Sequence, residues 1–423
     1  MPLKIGQALP DNDLASYTRG EGNNRGDQVM TRSVILGGAR TPIGRFNGGL
    51  VSFSAHELGG FAIAGALEQT GIEPTQVDYV FMGQVLGAGQ GQITARQAAV
   101  EAGIPMSVPA TTVNKVCLSG LNTIYLADQM IRAGDADIVV AGGMESMSNA
   151  PFLLPKARRG YGYGNGELID SLMHDGLYCA FDVCLMGEGT EKYAQADDIG
   201  RLPQDTFAAN SHERATQAQK DDLFRGEIVP VTVPQRRGDD LIVDADEGVR
   251  PGTTTDGLGG LRPAFDANGT ITAGNASQLS DGASAIVLVS EAKATELGLL
   301  ARAEIVSYGQ VAGPDSASLL TQPSQAILSA ASKAGVEIGD IDLFEINEAF
   351  AAVGIASIDE LGVSDDIVNV NGGAIAVGHP IGMSGNRLAL TLINELHRRG
   401  GGLGAAALCG GGGQGDAALI RTL

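Results

Sequence analysis

The 423-residue chain is 43% hydrophobic, long enough for two or three domains or one large duplicated unit, and carries a formal net charge of −21. That charge argues strongly against nucleic-acid binding and weakly against an anionic membrane surface. With no long apolar run, no secretory signal and only four cysteines, the sequence predicts a protein of the reducing cytoplasm, without a membrane partner or a disulfide scaffold.

The N-terminal stretch differs from the rest of the chain. Residues 1–29 are polar and show no sustained hydrophobic periodicity. We expect a flexible leader that is not part of the fold, and regular structure that begins with a strand at 32–36.

A long-period repeat follows. Residues 66–85 (ALEQTGIEPTQVDYVFMGQV) resemble residues 330–349 (AASKAGVEIGDIDLFEINEA), so that Asp78 matches Asp342. Two further pairs keep an offset of about 265 residues: 117–131 with 382–396, and 135–146 with 403–414. A shared offset of this kind predicts two copies of one domain.

Each copy alternates strand-like and helical runs, which favours βα units around a mainly parallel, buried sheet. We predict two helices and two strands beside the chemical motifs: 119–133, 138–141, 386–398 and 404–409. The domains are then an N-terminal half (30–149 and 281–299), an inserted ligand-binding loop domain (150–280) and a C-terminal half (300–423).

Cys117, in VNKVCLSG, is the first residue with a candidate chemical role. A free cysteine is often only a small buried hydrophobe. This one comes at the predicted start of a helix, where the helix dipole and free N–H groups would lower a thiol's pKa. It is also followed by Ser119-Gly120, which would let a ligand approach. The local pattern alone leaves both interpretations open, a buried hydrophobe and a nucleophile.

Asn347, in the segment INEAFA, comes at the end of a predicted strand. Its amide can cap the next helix or hold a water or carbonyl oxygen. Cys179 and Cys184 have neither metal-ligand spacing nor a histidine partner, so we interpret them as structural and predict no metal site.

His379 and Cys409 both lie in glycine-rich loops. His379, in NGGAIAVGHPIG, is one of only five histidines, and its glycine-lined loop can present an imidazole to a cleft as a general base. Cys409 precedes Gly410–Gly413, a run that permits close backbone approach and an oxyanion hole of N–H groups. A phosphate loop is the alternative, but no Gly-Lys-Ser/Thr follows.

Five motifs together resemble the thiolase family, in its acetyl-CoA acetyltransferase branch: NKVCLSG, GGMESMS, NEAFA, GHPIGMSG and CGGG. The resemblance covers about residues 31–423. It implies an α/β fold, a duplicated five-layer αβαβα arrangement with a loop domain inserted in the first half. The implied activity is reversible condensation of two acyl-CoA molecules to a 3-ketoacyl-CoA and CoA.

The resemblance also implies roles for individual residues. Cys117 would be acylated, His379 would activate it, and Cys409 would act as acid/base at the α carbon of the second acyl-CoA. Asn347, through a water, and His379 would form one oxyanion site. The N–H groups of Cys117 and Gly411 would form the other.

Further matches imply contacts with the CoA moiety, which enters as part of the substrate, so no separate cofactor is expected. Ala273 and Ser277, in TAGNAS, would lie beside the pantetheine, and Arg250 near the adenine. The remaining contact positions are Leu177, Met186 and Phe350. We expect acyl-CoA and CoA as partners and a homodimer or homotetramer.

One position departs from the family pattern. Short-chain members commonly have His-Met-Gly where this chain has Leu185-Met186-Gly187. An apolar group there would favour a longer or branched acyl chain. A 3-ketoacyl-CoA thiolase of fatty-acid β-oxidation is therefore an alternative. Two separate alternatives are a decarboxylating ketoacyl synthase on the same fold and a non-catalytic acyl-CoA binding protein.

Overall fold

The computed structural model describes residues 31–423, so the proposed leader at 1–29 lies outside the described residues. The strands of this range are β1 (Ser33–Arg40), β2 (Gly44–Arg45), β3 (Tyr79–Gly83), β4 (Ala110–Val113), β5 (Ile138–Ser146), β6 (Phe152–Leu153), β7 (Ile169–Asp170), β8 (Tyr178–Cys179), β9 (Cys184–Leu185), β10 (Val231–Val233), β11 (Leu241–Val243), β12 (Ser280–Ser290), β13 (Ala303–Ala312), β14 (Leu343–Ile346), β15 (Leu403–Gly410) and β16 (Gln414–Thr422). Its α-helices are α1 (Ala55–Thr70), α2 (Thr94–Glu101), α3 (Ser119–Ala133), α4 (Met186–Ala196), α5 (Arg201–Lys220), α6 (Thr255–Gly259), α7 (Glu291–Leu297), α8 (Gln322–Ala334), α9 (Ala351–Leu361), α10 (Ala374–Val377) and α11 (Ser384–Arg398). None of the helices in this described range is both long and apolar enough to cross a membrane.

The internal repeat is visible as matching local structure. Helices α1 and α8 both end at a glycine in the left-handed region, Gly71 and Gly335, and each is followed by a 3₁₀ turn and a buried strand. The matched aspartates also make equivalent hydrogen bonds. Asp78 accepts the N–H of Ile138 at 2.8 Å, at the start of β5, and Asp342 accepts the N–H of Leu403 at 2.8 Å, at the start of β15.

The large sheet joins the two copies edge to edge. Its strand order is β14-β15-β16-β13-β1-β12-β5-β3-β4, with β2 paired to β12. The prediction of a mainly parallel sheet is wrong, because only β3–β4, β3–β5 and β14–β15 pair in parallel. Helical crossovers connect β3, β4 and β5, but the β15–β16 connection is a tight glycine turn, and a hairpin can only be antiparallel.

Three apolar clusters separate five layers. The first packs α1 and α2 against the β1–β3–β5–β12 face. The second encloses α3 and α11 between the inner faces of the two halves of the sheet, and the third lies between α8 and the β13–β16 side. The layers therefore follow the order α, β, α, β, α.

Helices α3 and α11 cross at two matched glycines. A Cβ added to Gly120 would lie 2.8 Å from the carbonyl oxygen of Met383, and one added to Gly385 would lie 2.5 Å from the nitrogen of Leu121. Real Cβ atoms do not come so close, so the crossing requires glycine on both helices. The starts of the two helices, and the loops that precede them, are thereby brought together.

The segment between β5 and β12 carries smaller elements. It contains three two-stranded sheets, β6–β7, β8–β9 and β10–β11, together with α4, α5 and α6. Helix α5 packs against α9 and α10 of the C-terminal half. The insertion thus lies over the same region of the fold to which the α3 and α11 starts point.

Candidate active site

Cys117 lies on a strained turn two residues before α3. The residue before it, Val116, has φ = 51°, a left-handed conformation that β-branched residues rarely adopt. The Oδ1 of Asn114 accepts the N–H of Val116 at 3.0 Å, and the Val116 carbonyl accepts the Ser119 hydroxyl at 2.6 Å. Strain maintained in this way is typical of functional sites.

The surroundings of Cys117 are apolar. The half-buried side chain packs against a cluster of Val85, Leu86, Met147, Leu172 and Ile381. Burial is the main cause that raises the pKa of the Cys117 thiol to about 12, with a smaller contribution from the negative charge of Glu145. The predicted lowering by a helix start is wrong, because desolvation outweighs the dipole and α3 itself begins only at Ser119. The thiol is protonated and needs a base.

His379, between α10 and α11, has the hydrogen bonds of a base. Its Nδ1 lies 2.6 Å from the Ser384 hydroxyl, which itself donates to the carbonyl of Pro380 at 3.0 Å. Because that hydroxyl proton is used, Ser384 must accept from Nδ1–H, and Nε2 is left with its lone pair. Burial, followed by the positive charge of Arg387, lowers the pKa of His379 to about 3, so the ring is neutral.

Asn347 directly follows β14 and is fully buried beside His379. Its Nδ2 lies 3.3 Å from Nε2 of His379, as expected for an N–H that donates to the lone pair. It does not cap α9, because that helix begins at Ala351 after Phe350. Its Oδ1 is buried without a partner among residues 31–423, which leaves it free to accept a hydrogen bond.

Cys409, at the end of β15, is 2% exposed. Burial raises the pKa of its thiol, with a smaller electrostatic contribution from the Cys117 sulfur. The glycine turn that follows contacts the Cys117 turn: a Cβ added to Gly411 would lie 3.4 Å from the Val116 side chain. Gly412 and Gly413 have φ of 78° and 65°, which other residues adopt only with strain.

Two adjoining cavities lead to His379. The inner cavity, of about 240 Å³, is largely apolar and includes Leu177, Met186, Phe350, Ser277 and His379 in its lining. The outer cavity, of about 450 Å³, is lined by Arg250, Ala273 and Ser277, among others. They share the wall residues Phe265, Ala276, Ser277, Gln278 and Leu279. The six residues predicted to contact CoA thus line one continuous surface that ends at the histidine.

The residues of the unusual Leu185-Met186-Gly187 segment line the inner cavity. Leu185 ends β9, and Met186 begins α4. The apolar substitution therefore faces the same space as His379.

Sequence reasoning missed several residues that support the site. Ser384, which orients His379, is the repeat partner of Ser119, and that match was the available signal. The carbonyl of Gln278 accepts the N–H of His379 at 3.2 Å, while its Oε1 lies 3.3 Å from the Arg250 guanidinium. Phe265 belongs to both cavities, and nothing in its local sequence indicates this.

No metal centre accompanies these groups. Within residues 31–423, no three His, Cys, Asp or Glu side chains converge as metal ligands would. All four cysteines are free thiols.

Comparison with known proteins gives consistent matches. The family descriptions "Thiolase, N-terminal domain" and "Thiolase, C-terminal domain" match residues 33–292 and 299–422. The chain is 55% identical over 388 residues to a probable acetyl-CoA acetyltransferase of Mycolicibacterium smegmatis, covering 92% of this chain and 100% of that one. It is 56% identical over 393 residues to the probable acetyl-CoA acetyltransferase of Mycobacterium tuberculosis, covering 93% and 100%.

A solved structure has the same fold. The crystal structure of the Bacillus anthracis acetyl-CoA acetyltransferase matches with a TM-score of 0.91 at 39% identity, over 93% of this chain and 99% of that one. The predicted fold class is therefore confirmed. With both family domains matched in order across nearly all of the described residues, this chain belongs to the thiolase family.

Proposed function

We propose that the chain is an acetyl-CoA C-acetyltransferase, which condenses two acetyl-CoA molecules to acetoacetyl-CoA and CoA and also catalyses the reverse cleavage. The observation that carries this is an unprotonated Nε2 of His379, at the end of an apolar cavity, in a site with two thiols. Relatives named as acetyl-CoA acetyltransferases support the choice of acetyl group.

In the first half-reaction, the Cys117 sulfur attacks the thioester carbonyl and its proton passes to Nε2 of His379. The C–S bond to CoA then breaks, and the leaving thiolate takes a proton from Cys409. Acetyl-Cys117, a protonated His379 and a Cys409 thiolate remain. Charge separation in so buried a site is opposed by the raised thiol pKa values, so bound substrate must supply part of the stabilisation.

In the second half-reaction, the Cys409 thiolate removes a proton from the α carbon of a second acetyl-CoA. The enolate attacks acetyl-Cys117, a C–C bond forms, and the bond from the carbonyl carbon to Cys117 breaks. Cys117 regains its proton from His379, which restores both neutral groups. We assign the enolate oxygen to His379 and to a water on Asn347, and the tetrahedral oxyanion to the N–H groups of Cys117 and Gly411.

Mass spectrometry tests the first half-reaction directly. After incubation with acetyl-CoA alone, the peptide containing Cys117 should gain one acetyl group. Acylation that needs a carrier protein would favour the decarboxylating synthase. Turnover that survives Cys117→Ala would favour a non-catalytic role for this site.

A second candidate function is favoured by one observation. Leu185 makes the wall of the inner cavity apolar, which would accommodate a longer or branched acyl chain, as in a 3-ketoacyl-CoA thiolase. Rates measured against acyl-CoAs of increasing length distinguish the two.

We also propose that the protein works as a homodimer or homotetramer in the cytoplasm. In the described part of the chain, β4 forms the edge of the large sheet, and an edge strand can pair with another copy. Four free thiols suit a reducing compartment. Sedimentation analysis would measure the assembly.

A further inference from the structure

A buried carboxylate beside the candidate active site has no cationic partner among the described residues. Glu145, near the end of β5, is 0% exposed. Its Oε2 accepts the N–H groups of Val85 and Gly382, each at 3.0 Å, and its Oε1 accepts that of Leu86 at 3.0 Å. A buried charge is costly unless it is satisfied, and here three backbone donors satisfy it.

Those three donors come from two loops that flank the nucleophile. Val85 and Leu86 follow β3, whereas Gly382 comes three residues after His379. Val85, Leu86 and Ile381 belong to the apolar cluster against which Cys117 packs. The Glu145 carboxylate therefore fixes two segments relative to each other: residues 85–86, part of the apolar wall beside Cys117, and the loop that carries His379.

The fit at this point is close. A Cβ added to Gly382 would lie 2.7 Å from the Met144 carbonyl oxygen and 2.9 Å from Oε2 of Glu145. The histidine loop thus rests directly on the main chain and the carboxylate of β5. A shift of the Glu145 side chain would move that loop.

Glu145 also acts through its charge. Its electrostatic neighbours are Asp281, on the adjacent strand β12, and the Cys117 thiol. Burial, with a smaller contribution from the charge of Asp281, raises the pKa of Glu145 to about 7, so the group is largely ionised above neutral pH. An anion here opposes formation of a second anion at Cys117.

We propose that Glu145 is a positioning residue of the active site, which holds the Cys117 wall and the His379 loop together and disfavours the Cys117 thiolate in the resting protein. This inference rests on the proposed function. A thiol with high proton affinity becomes a stronger nucleophile once its proton is transferred, and it resists alkylation and oxidation before that.

The test compares Glu145→Gln with Glu145→Asp in the full-length protein. Gln removes the charge and directs an NH₂ group at one of the N–H donors, whereas Asp keeps the charge but is one methylene shorter. Both should lower kcat for acetyl-CoA condensation about tenfold, because a buried N–H loses its acceptor. KM should stay near the wild-type value, since Glu145 is not among the described residues that line either cavity.

The rate of Cys117 alkylation distinguishes the effect of the Glu145 charge from the effect of its hydrogen bonds on loop position. Carbamidomethylation of Cys117 by iodoacetamide, followed at pH 8 by peptide mass spectrometry, should be about threefold faster in Glu145→Gln. Removal of the Glu145 charge lowers the thiol pKa and so increases the thiolate fraction, while the lower nucleophilicity of that thiolate offsets part of the gain. Glu145→Asp should react at the wild-type rate.

Equal acceleration in both variants would mean that the loops have merely loosened, and no acceleration in Glu145→Gln would remove the charge effect; either result overturns the proposal. If Glu145→Gln does not fold, Glu145→Asp decides: lower kcat with a wild-type alkylation rate supports the proposal, and wild-type kcat rejects it.

Alkylation of Cys117 needs no acyl-CoA. A wild-type protein that accepts no acetyl group would therefore refute the proposed function, while the alkylation comparison would still decide the role of Glu145.

Discussion

Asn347 and His379 lie 32 residues apart on separate loops, yet the amide Nδ2 of one lies 3.3 Å from the ring Nε2 of the other. The same ring donates through Nδ1 to Ser384. The imidazole is therefore oriented from both nitrogens before any ligand arrives. Preorganisation of this kind means that no free energy has to be spent on orienting the ring during the chemical step.

Replacement of the first thiol should abolish chemistry but not binding. We expect Cys117→Ala to lower kcat about 10³-fold or more, because no other group can carry the acyl intermediate. CoA affinity should change little, since Cys117 is not among the described residues that line either cavity. Calorimetry and steady-state assays measure both quantities. Cys179→Ala, at another buried free thiol, is the matched control and should keep its activity.

Replacement of the second thiol should separate the half-reactions. In Cys409→Ala, Cys117 should still become acetylated, because the protonated His379 can then supply the proton to the leaving CoA thiolate. Condensation should be suppressed because no base remains for the α carbon. Single-turnover acetylation and steady-state condensation are to be compared. Loss of acetylation in a correctly folded variant would show that the two thiols do not divide the work in this way.

Ser384→Ala should leave the Nδ1–H of His379 buried without an acceptor. That loss is worth about 1–3 kcal/mol, so we expect kcat to fall about tenfold or more. Ser384→Thr retains the hydroxyl and should recover part of the activity. If Ser384→Ala keeps full activity, the hydrogen bond does not orient the base.

The pH dependence should reflect the neutral histidine. Because burial lowers the pKa of His379 to about 3, kcat/KM for acetylation should show no loss centred near the usual value of about 6.5. Between about pH 6.5 and pH 3 the unfolded chain binds a proton at this residue that the folded chain does not, so its contribution to stability falls as pH falls. Rates and thermal unfolding from pH 5.5 to 8 test both statements; a tenfold loss of rate centred at 6.5 in folded protein would contradict the first.

Leu185→His should shift the acyl-chain preference toward shorter substrates. Each buried methylene is worth about 0.8 kcal/mol, or about fourfold in kcat/KM, where the wall is apolar. Relative to wild type, the variant should lose about that factor for each added methylene. Identical chain-length profiles would show that Leu185 does not contact the acyl group.

Local cues made much of the fold predictable. The helix at 119–133 was predicted with the bounds it has, and the strand at 404–409 is one residue short of β15 at each end. Helix-ending glycines and the repeat supplied those signals. The sheet's mixed direction was missed because no strand is predicted after the glycine run, where the chain turns back as β16 and pairs antiparallel with β15.

The thiol pKa and the supporting residues could not be predicted, because they depend on burial and on contacts distant in sequence. Glu145 and Gly382 are 237 residues apart, and no local pattern connects them. Whether a helix start lowers a thiol's pKa is decided by the solvent around it, which Cys117 lacks. The roles of the individual site residues stay predictions until the variants above are measured.

The glycine crossing of α3 and α11 has a consequence for how such a protein can change. Where side chains separate two helices, a substitution can change the distance between them. At Gly120 and Gly385 the main chains of α3 and α11 are in direct contact, so any side chain at either position would force the helices apart. The main-chain contact between α3 and α11 therefore fixes the separation of the two helix starts, from which the Cys117 and His379 loops lead. Leu185 and Phe265, which line the inner cavity through their side chains, can be substituted without a change in that helix crossing.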